Sequence, residues 1–218
     1  MTDSEIHEAI RILREEVTQW QTPAVTIVSQ REGDPFKVLI SCILSLRTQD
    51  RTTGPASLRL FALAGSPAAM AALSEEEIVD AIYPVGFYRN KAKQIRGGCE
   101  RLLTDYGGQV PDDIDELLKL KGVGRKTANL VVTLGFGKPG ICVDTHVHRI
   151  CNRWGYVRTR TPEETEFALR ERLPAQYWLC INDLLVTFGQ NHCHPVSPRC
   201  STCRLAHLCE RVGVEKHR

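Results

Sequence analysis

Long apolar runs are missing from this 218-residue chain. Nothing in it approaches the roughly 20 consecutive apolar residues that a membrane span needs. Its first residues, Met1-Thr2-Asp3-Ser4-Glu5, also lack the basic start and apolar stretch of a secretory leader. Net charge is equally scarce: 28 Lys+Arg stand against 26 Asp+Glu, a balance of +2. A chain so nearly neutral is not built to coat nucleic acid unspecifically, so any such contact is confined to a local patch. Valine-rich alternation of strand type is rare and no internal repeat is evident. These absences exclude a membrane protein, a repeat array and an all-β fold. The expectation is a cytoplasmic, compact protein, and 42% hydrophobic residues suffice for one good core or two smaller ones.

Nearly every segment reads at helical period. Ile6, Ile10, Leu13 and Val17 share one face, with Asp3 or Ser4 as the expected cap. Pro35 suits a first helical position and opens a segment, residues 36–44, that is apolar all round and therefore suited to the middle of a lobe. Ser74 with Glu77 and Thr161 with Glu164 have capping-box spacing. Ala92, Ile95, Cys99, Leu102 and Tyr106 form a further stripe that ends at Gly107-Gly108. The fold class read from this pattern is all-α.

The most informative stretch is Leu120-Lys121-Gly122-Val123-Gly124-Arg125-Lys126-Thr127-Ala128-Asn129. Gly122 and Gly124 can take backbone angles closed to other residues, so a hairpin here can turn its amide N–H groups outward. A helix starting near Arg125 adds its positive end, which makes the turn a seat for an anion. No acidic residue lies between Lys119 and Lys126, so positive charge is focused at this point. Downstream, Gly137-Lys138-Pro139-Gly140 breaks the chain and delivers Asp144 to the start of another helix.

Nine cysteines fall into two sets. Cys42, Cys99, Cys142, Cys151 and Cys180 are scattered and read as buried thiols. Cys193, Cys200, Cys203 and Cys209 crowd the C-terminus with one C-x-x-C pair, a pattern that leaves the identity of a bound metal open, zinc included. His146 and His148, two residues apart on a helix, face different ways and do not form a metal pair. His192, His194 and His207 stand beside a set of four cysteines that is already complete.

The hairpin, the Gly/Pro loop and Asp144 together resemble the helix-hairpin-helix superfamily of DNA glycosylases, and Lys126 resembles its endonuclease III branch. The likeness extends over almost the whole chain. It includes Leu44-Ser45-Leu46-Arg47-Thr48-Gln49-Asp50, Gly86-Phe87-Tyr88-Arg89-Asn90-Lys91-Ala92, and the terminal spacing Cys193-x6-Cys200-x2-Cys203-x5-Cys209. The resemblance implies two helical lobes with a DNA-binding cleft between them. One is a six-helix, barrel-like lobe over 28–138 carrying the hairpin; the other combines 1–27 with 139–218. It also implies a structural [4Fe-4S] cluster on Cys193, Cys200, Cys203 and Cys209, within about 193–209, with Arg199 and Arg204 presenting cations to a phosphate.

The implied activity is that of a bifunctional DNA glycosylase and AP lyase acting on duplex DNA with an oxidised pyrimidine or an abasic site. Lys126 would displace the damaged base at C1′, with Asp144 assisting its activation and stabilising positive charge on the sugar. Attack requires a neutral amine, which a helix N-terminus, the cationic neighbours Lys121 and Arg125, and partial burial all favour. DNA contacts carry over to Lys121, Gly122, Val123, Gly124 and Arg125 in the hairpin, and to Thr145 and His146. Arg47 and Phe87, with Tyr88 beside the second, match the family's two gap-filling elements. Relatives often carry glutamine and a smaller aliphatic at those two positions, and proline where this chain has Lys121. The protein is expected to act as a monomer near the nucleoid, without a membrane partner. Two rivals are a monofunctional glycosylase of the same superfamily and a non-catalytic iron-sulfur DNA-binding module.

Overall fold

The computed structural model describes residues 1–20, 25–26 and 33–218. Among them the regular elements are all helical and no strand occurs. No described helix is long and apolar enough to cross a membrane. The chain divides into two compact units, Ala24–Gly140 and a second made of Met1–Pro23 with Ile141–Arg218. The boundary expected at 27–28 falls outside the described residues.

The Ala24–Gly140 unit is organised on α1 (Pro35–Ser45). Pro35 sits in the first turn and Asp34 caps it, Oδ1 accepting from the Phe36 amide at 2.8 Å. Phe36, Val38, Leu39, Ile40, Cys42, Ile43 and Leu44 are all buried, so this helix is surrounded on every side. Around it lie α2 (Asp50–Leu63), α3 (Pro67–Ala72), α4 (Glu75–Ile82), α5 (Tyr88–Tyr106), α6 (Ile114–Leu118) and α7 (Arg125–Leu130). α7 runs on into a π-helical turn, Val131–Gly135, that packs against α1. The full Ser74/Glu77 capping box starts α4. α5 buries Ala92, Ile95, Cys99 and Leu102 and ends where Gly107 turns left-handed, at φ +60°, with the Gly108 amide on Leu102 O.

In the second unit, α8 (Glu5–Glu16), α9 (Thr145–Arg153), α10 (Pro162–Arg172) and α11 (Ile181–Asn191) close around one core. Ile6, Ile10 and Leu13 of α8 join Val147, Ile150, Trp154, Tyr156, Leu185 and Phe188 there. Each such aliphatic side chain contributes about 1.5–3 kcal/mol when fully buried.

Two caps differ from expectation. The first helix is held by Thr2 rather than by Asp3 or Ser4: Thr2 Oγ1 accepts from the Glu5 amide, and the Glu5 carboxylate accepts from the Thr2 amide. At α10 only half of the box forms. Thr161 Oγ1 takes the Glu164 amide, but the Glu164 carboxylate takes the amide of Arg160.

Candidate functional site

Lys126 stands at the second position of α7, immediately after the hairpin, and is half-buried. The hairpin closes through the Leu120 amide on Leu117 O and the Val123 amide on Leu120 O. Gly122 adopts φ +89°, which only glycine takes freely, while Gly124 is extended at φ −100° and does not need glycine for its backbone. Val123 is buried and its amide is consumed within the turn, so it offers packing rather than an outward donor. The amides of Gly122 and Gly124 have no backbone acceptor among the described residues. Gly124 caps α7 without a side chain, and a Cβ there would meet nothing within 4 Å. The hairpin is thus open at Gly124, with Lys121 exposed and Arg125 half-buried beside it. Lys119 does not add to this charge, because its ammonium pairs with Glu116 at 2.6 Å.

Lys126 lies close enough to α1 for its charge to act on the Cys42 thiol, which burial pushes up to about 12. Thr133 Oγ1 bonds back to Asn129 O, and a Cβ at Gly140 would come 3.0 Å from Thr133 and 3.1 Å from Asn129 Oδ1. Gly140 therefore lets the Gly/Pro loop lie on the π turn, while Lys138 anchors the loop to Asp112 at 2.6 Å.

In the other unit, Asp144 is the N-cap of α9: Oδ1 accepts from the amides of His146, at 2.8 Å, and Val147, at 3.0 Å. Thr145 is exposed and His146 half-buried. His146 Nδ1 lies 3.1 Å from an Arg149 nitrogen, which also donates to Cys193 O at 2.8 Å. Arg153, buried from the same helix, donates to Cys193 Sγ at 3.3 Å and to the carbonyls of His194 and Pro195 at 2.7 Å. The helix that Asp144 starts is therefore fastened to the cysteine segment by two arginines. Sequence reading missed both, because their partners lie about 40 residues away.

Cys193, Cys200, Cys203 and Cys209 are thiols outside any disulfide that line one small pocket, together with Arg153 and His192. Burial and the neighbouring cysteines push Cys203 up to about 11, and burial likewise raises Cys200 and Cys209. Amides of Leu205 and Arg211 lie against Cys203 and Cys209 and favour their thiolates. Among the described residues no three His, Cys, Asp or Glu converge as a single ion would require. His192 stacks on Phe188 and is a buried wall of the cavity, and His207 turns outward to Glu8. Of the scattered cysteines, Cys180 is only partly buried and the other four are buried. Arg204 is not a spare cation as expected: Glu15 and Glu16 hold it at 2.8 and 3.1 Å.

Arg47, Phe87 and Tyr88 come together. The Arg47 guanidinium lies 5.5 Å over the Phe87 ring, and the exposed Tyr83 meets Tyr88 edge-on at 5.4 Å. Phe87 is 59% exposed, which rules out a place in the core. Arg47 at φ +52° and Phe87 at φ +57° are both left-handed, a conformation that side chains rarely adopt and that sequence does not announce.

Comparison with known proteins agrees with this geometry. Residues 40–175 match the family model described as HhH-GPD superfamily base excision DNA repair protein. Endonuclease III of Thermotoga maritima is 50% identical over 182 residues, covering 84% of this chain and 85% of its own. Endonuclease III of Escherichia coli is 38% identical over 178 residues, 82% of this chain and 84% of its own. Among solved structures, a non-covalent endonuclease III–DNA complex superposes with a TM-score of 0.85 at 36% identity, covering 97% of this chain and 96% of the other. A trapped endonuclease III–DNA covalent intermediate gives a TM-score of 0.84 at 35% identity, covering 97% of each chain. The chain belongs to the endonuclease III family of the HhH-GPD superfamily.

Proposed function

We propose that this protein is a bifunctional DNA glycosylase and AP lyase of base excision repair, acting as a monomer on chromosomal duplex DNA in the cytoplasm. Its substrates are an oxidised pyrimidine or an abasic site. The observation that carries this reading is Lys126: a lysine on the first turn of the helix that follows a glycine hairpin, in a chain that superposes on a trapped covalent endonuclease III–DNA intermediate. The hairpin amides, with Lys121 and Arg125, hold the phosphate backbone. The damaged nucleotide leaves the stack, at a cost of a few kcal/mol that damage reduces, and Arg47 and Phe87 occupy the space it vacates.

Lys126 Nζ then attacks C1′. The C1′–N bond breaks, its electron pair leaves with the base, and the base takes up a proton. Opening of the sugar gives an imine between Nζ and C1′. Loss of a C2′ proton and departure of the 3′ phosphate complete β-elimination, and water releases the enzyme. Asp144, fixed by its cap bonds at the start of α9, stabilises the positive charge that develops on the sugar. Thr145 and His146, on the first turn of the same helix, complete the DNA contacts.

Cys193, Cys200, Cys203 and Cys209 would hold a [4Fe-4S] cluster. The donor set fits in kind: four thiols line one pocket, and burial together with the neighbouring thiols disfavours their anions until a cationic iron centre offsets the charge. Such a cluster, when bound, staples a segment with too little apolar surface to fold alone.

The test measures base release and strand scission separately on duplex DNA carrying thymine glycol. Wild type is expected to produce both, and Lys126→Ala to lose both. Base release without scission would move the assignment to a monofunctional glycosylase; binding with neither would move it to a non-catalytic module.

A further inference from the structure

The two left-handed turns that present Arg47 and Phe87 belong to different parts of the sequence, yet one residue holds both, the first through its side chain and the second through its backbone amide. Lys91 is buried, 4% exposed, on the first turn of α5. Its Nζ donates to Leu44 O at 2.8 Å, to Leu46 O at 2.6 Å and to Thr48 Oγ1 at 3.1 Å. Leu44 and Leu46 lie at the C-terminal end of α1, where carbonyls lack helical partners and the helix dipole is negative. The backbone of Lys91 meanwhile donates to Phe87 O at 3.0 Å. Thr48 Oγ1 closes the circuit by accepting the Gly86 amide at 3.1 Å. At Gly86 the two turns approach so closely that a Cβ would lie 2.5 Å from Arg47 O.

We infer that Lys91 is a positioning residue for base extrusion, its ammonium locking the Arg47 turn against the Phe87 turn so that both side chains are presented to the opened duplex. This rests on the gap-filling role given above to Arg47 and Phe87. The physical need is plain. A left-handed conformation at a residue with a side chain is strained, and two of them persist side by side only where the surroundings over-determine them. Without the ammonium, Leu44 O loses its buried donor, Leu46 O keeps only the longer 3.3 Å bond from Thr48 Oγ1, and the Arg47 turn is free to relax to negative φ. A neutral side chain of similar length cannot replace those bonds; arginine can supply donors to the same carbonyls.

The experiment compares wild type with Lys91→Met, Lys91→Arg, Thr48→Val, Arg47→Ala and Phe87→Ala in single turnover. One duplex carries thymine glycol, another a pre-formed abasic site, and 2-aminopurine beside the lesion reports unstacking. An abasic nucleotide has no base to extrude, so it depends least on gap filling. Lys91→Met is expected to slow thymine glycol excision about 10- to 100-fold, the scale of misplacing a group by an ångström. Abasic-site scission is expected to stay within about threefold, because extrusion is bypassed. The 2-aminopurine signal falls with excision, Lys91→Arg restores both, and Thr48→Val, which leaves the ammonium on both helix-end carbonyls and removes only the hydroxyl's 3.3 Å bond to Leu46 O and its links to Lys91 and Gly86, gives the same selectivity at smaller size. Should Lys91→Met not fold, Thr48→Val and Lys91→Arg decide the matter. An equal loss on both substrates, or no loss while Arg47→Ala and Phe87→Ala lose excision selectively, overturns the inference and leaves gap filling standing. If Arg47→Ala and Phe87→Ala themselves leave excision unchanged, the gap-filling reading fails and this inference fails with it.

Discussion

Asp144 caps α9, and the proposed mechanism gives its carboxylate a second task that a pair of substitutions can separate. As N-cap it accepts two amides on a single oxygen, at 2.8 and 3.0 Å, and as a carboxylate it places negative charge at the start of α9. Asparagine caps a helix about as well as aspartate, whereas alanine leaves both amides without an acceptor and costs about 1 kcal/mol. For a protein of this size that loss lowers Tm by about 2–4 °C. Asp144→Asn is therefore expected to melt with wild type, and Asp144→Ala a few degrees below it. Chemistry should follow a different rule. Both substitutions remove the charge that, in the proposed mechanism, stabilises the developing cation, so single-turnover base release is expected to fall about 100-fold or more in each. The assay pairs thermal denaturation with excision of thymine glycol from duplex DNA. Activity of Asp144→Asn within about twofold of wild type would refute a chemical role for the carboxylate, on the scale at which such groups act. Equal destabilisation by the two substitutions would refute the capping account.

Three further outcomes are expected. Phe87→Gly relieves a left-handed φ of +57° at an exposed position. Unfolding free energy should rise by a few tenths to about 1 kcal/mol in denaturant titration. Excision should drop about tenfold or more from lost stacking; a destabilised variant would contradict the strain argument. Cys203→Ser is expected to abolish the brown iron-sulfur absorbance and to expose the C-terminal segment to limited proteolysis, and full colour with full DNA affinity would remove Cys203 from the ligand set. Burial pushes Lys91 from 10.5 down to about 8. Between those values the unfolded chain retains a proton that the folded protein has released, so stability rises with pH across that window relative to Lys91→Met. Denaturation series at pH 7, 9 and 11 check the sign, and a falling difference would show that the ammonium is better accommodated when folded.

The local signals of this chain were legible in its sequence because they act over short stretches of chain. Pro35, the Ser74/Glu77 box and Gly107 fix helix ends through neighbours two to six residues away. The hairpin and the spacing of the terminal cysteines were legible for the same reason. What was hidden depends on distant partners. Lys91 reads as one more surface lysine until Leu44 and Leu46 are folded against it. Arg149 and Arg153 read as solvated charges until the cysteine segment wraps them. Arg204 and Lys119 look available for phosphate, and acidic neighbours take them. The left-handed backbone of Arg47 and Phe87 has no compositional mark, since neither residue type prefers it.

The central claim is that Lys126 forms a covalent imine with the sugar, and borohydride reduction tests it most directly. Borohydride converts the imine to a stable amine that survives denaturing electrophoresis. The account predicts a protein–DNA crosslink on duplexes carrying thymine glycol or an abasic site, located at Lys126 by peptide mass and absent from Lys126→Ala. A crosslink that persists in folded Lys126→Ala, or none in wild type that binds both duplexes, would contradict it.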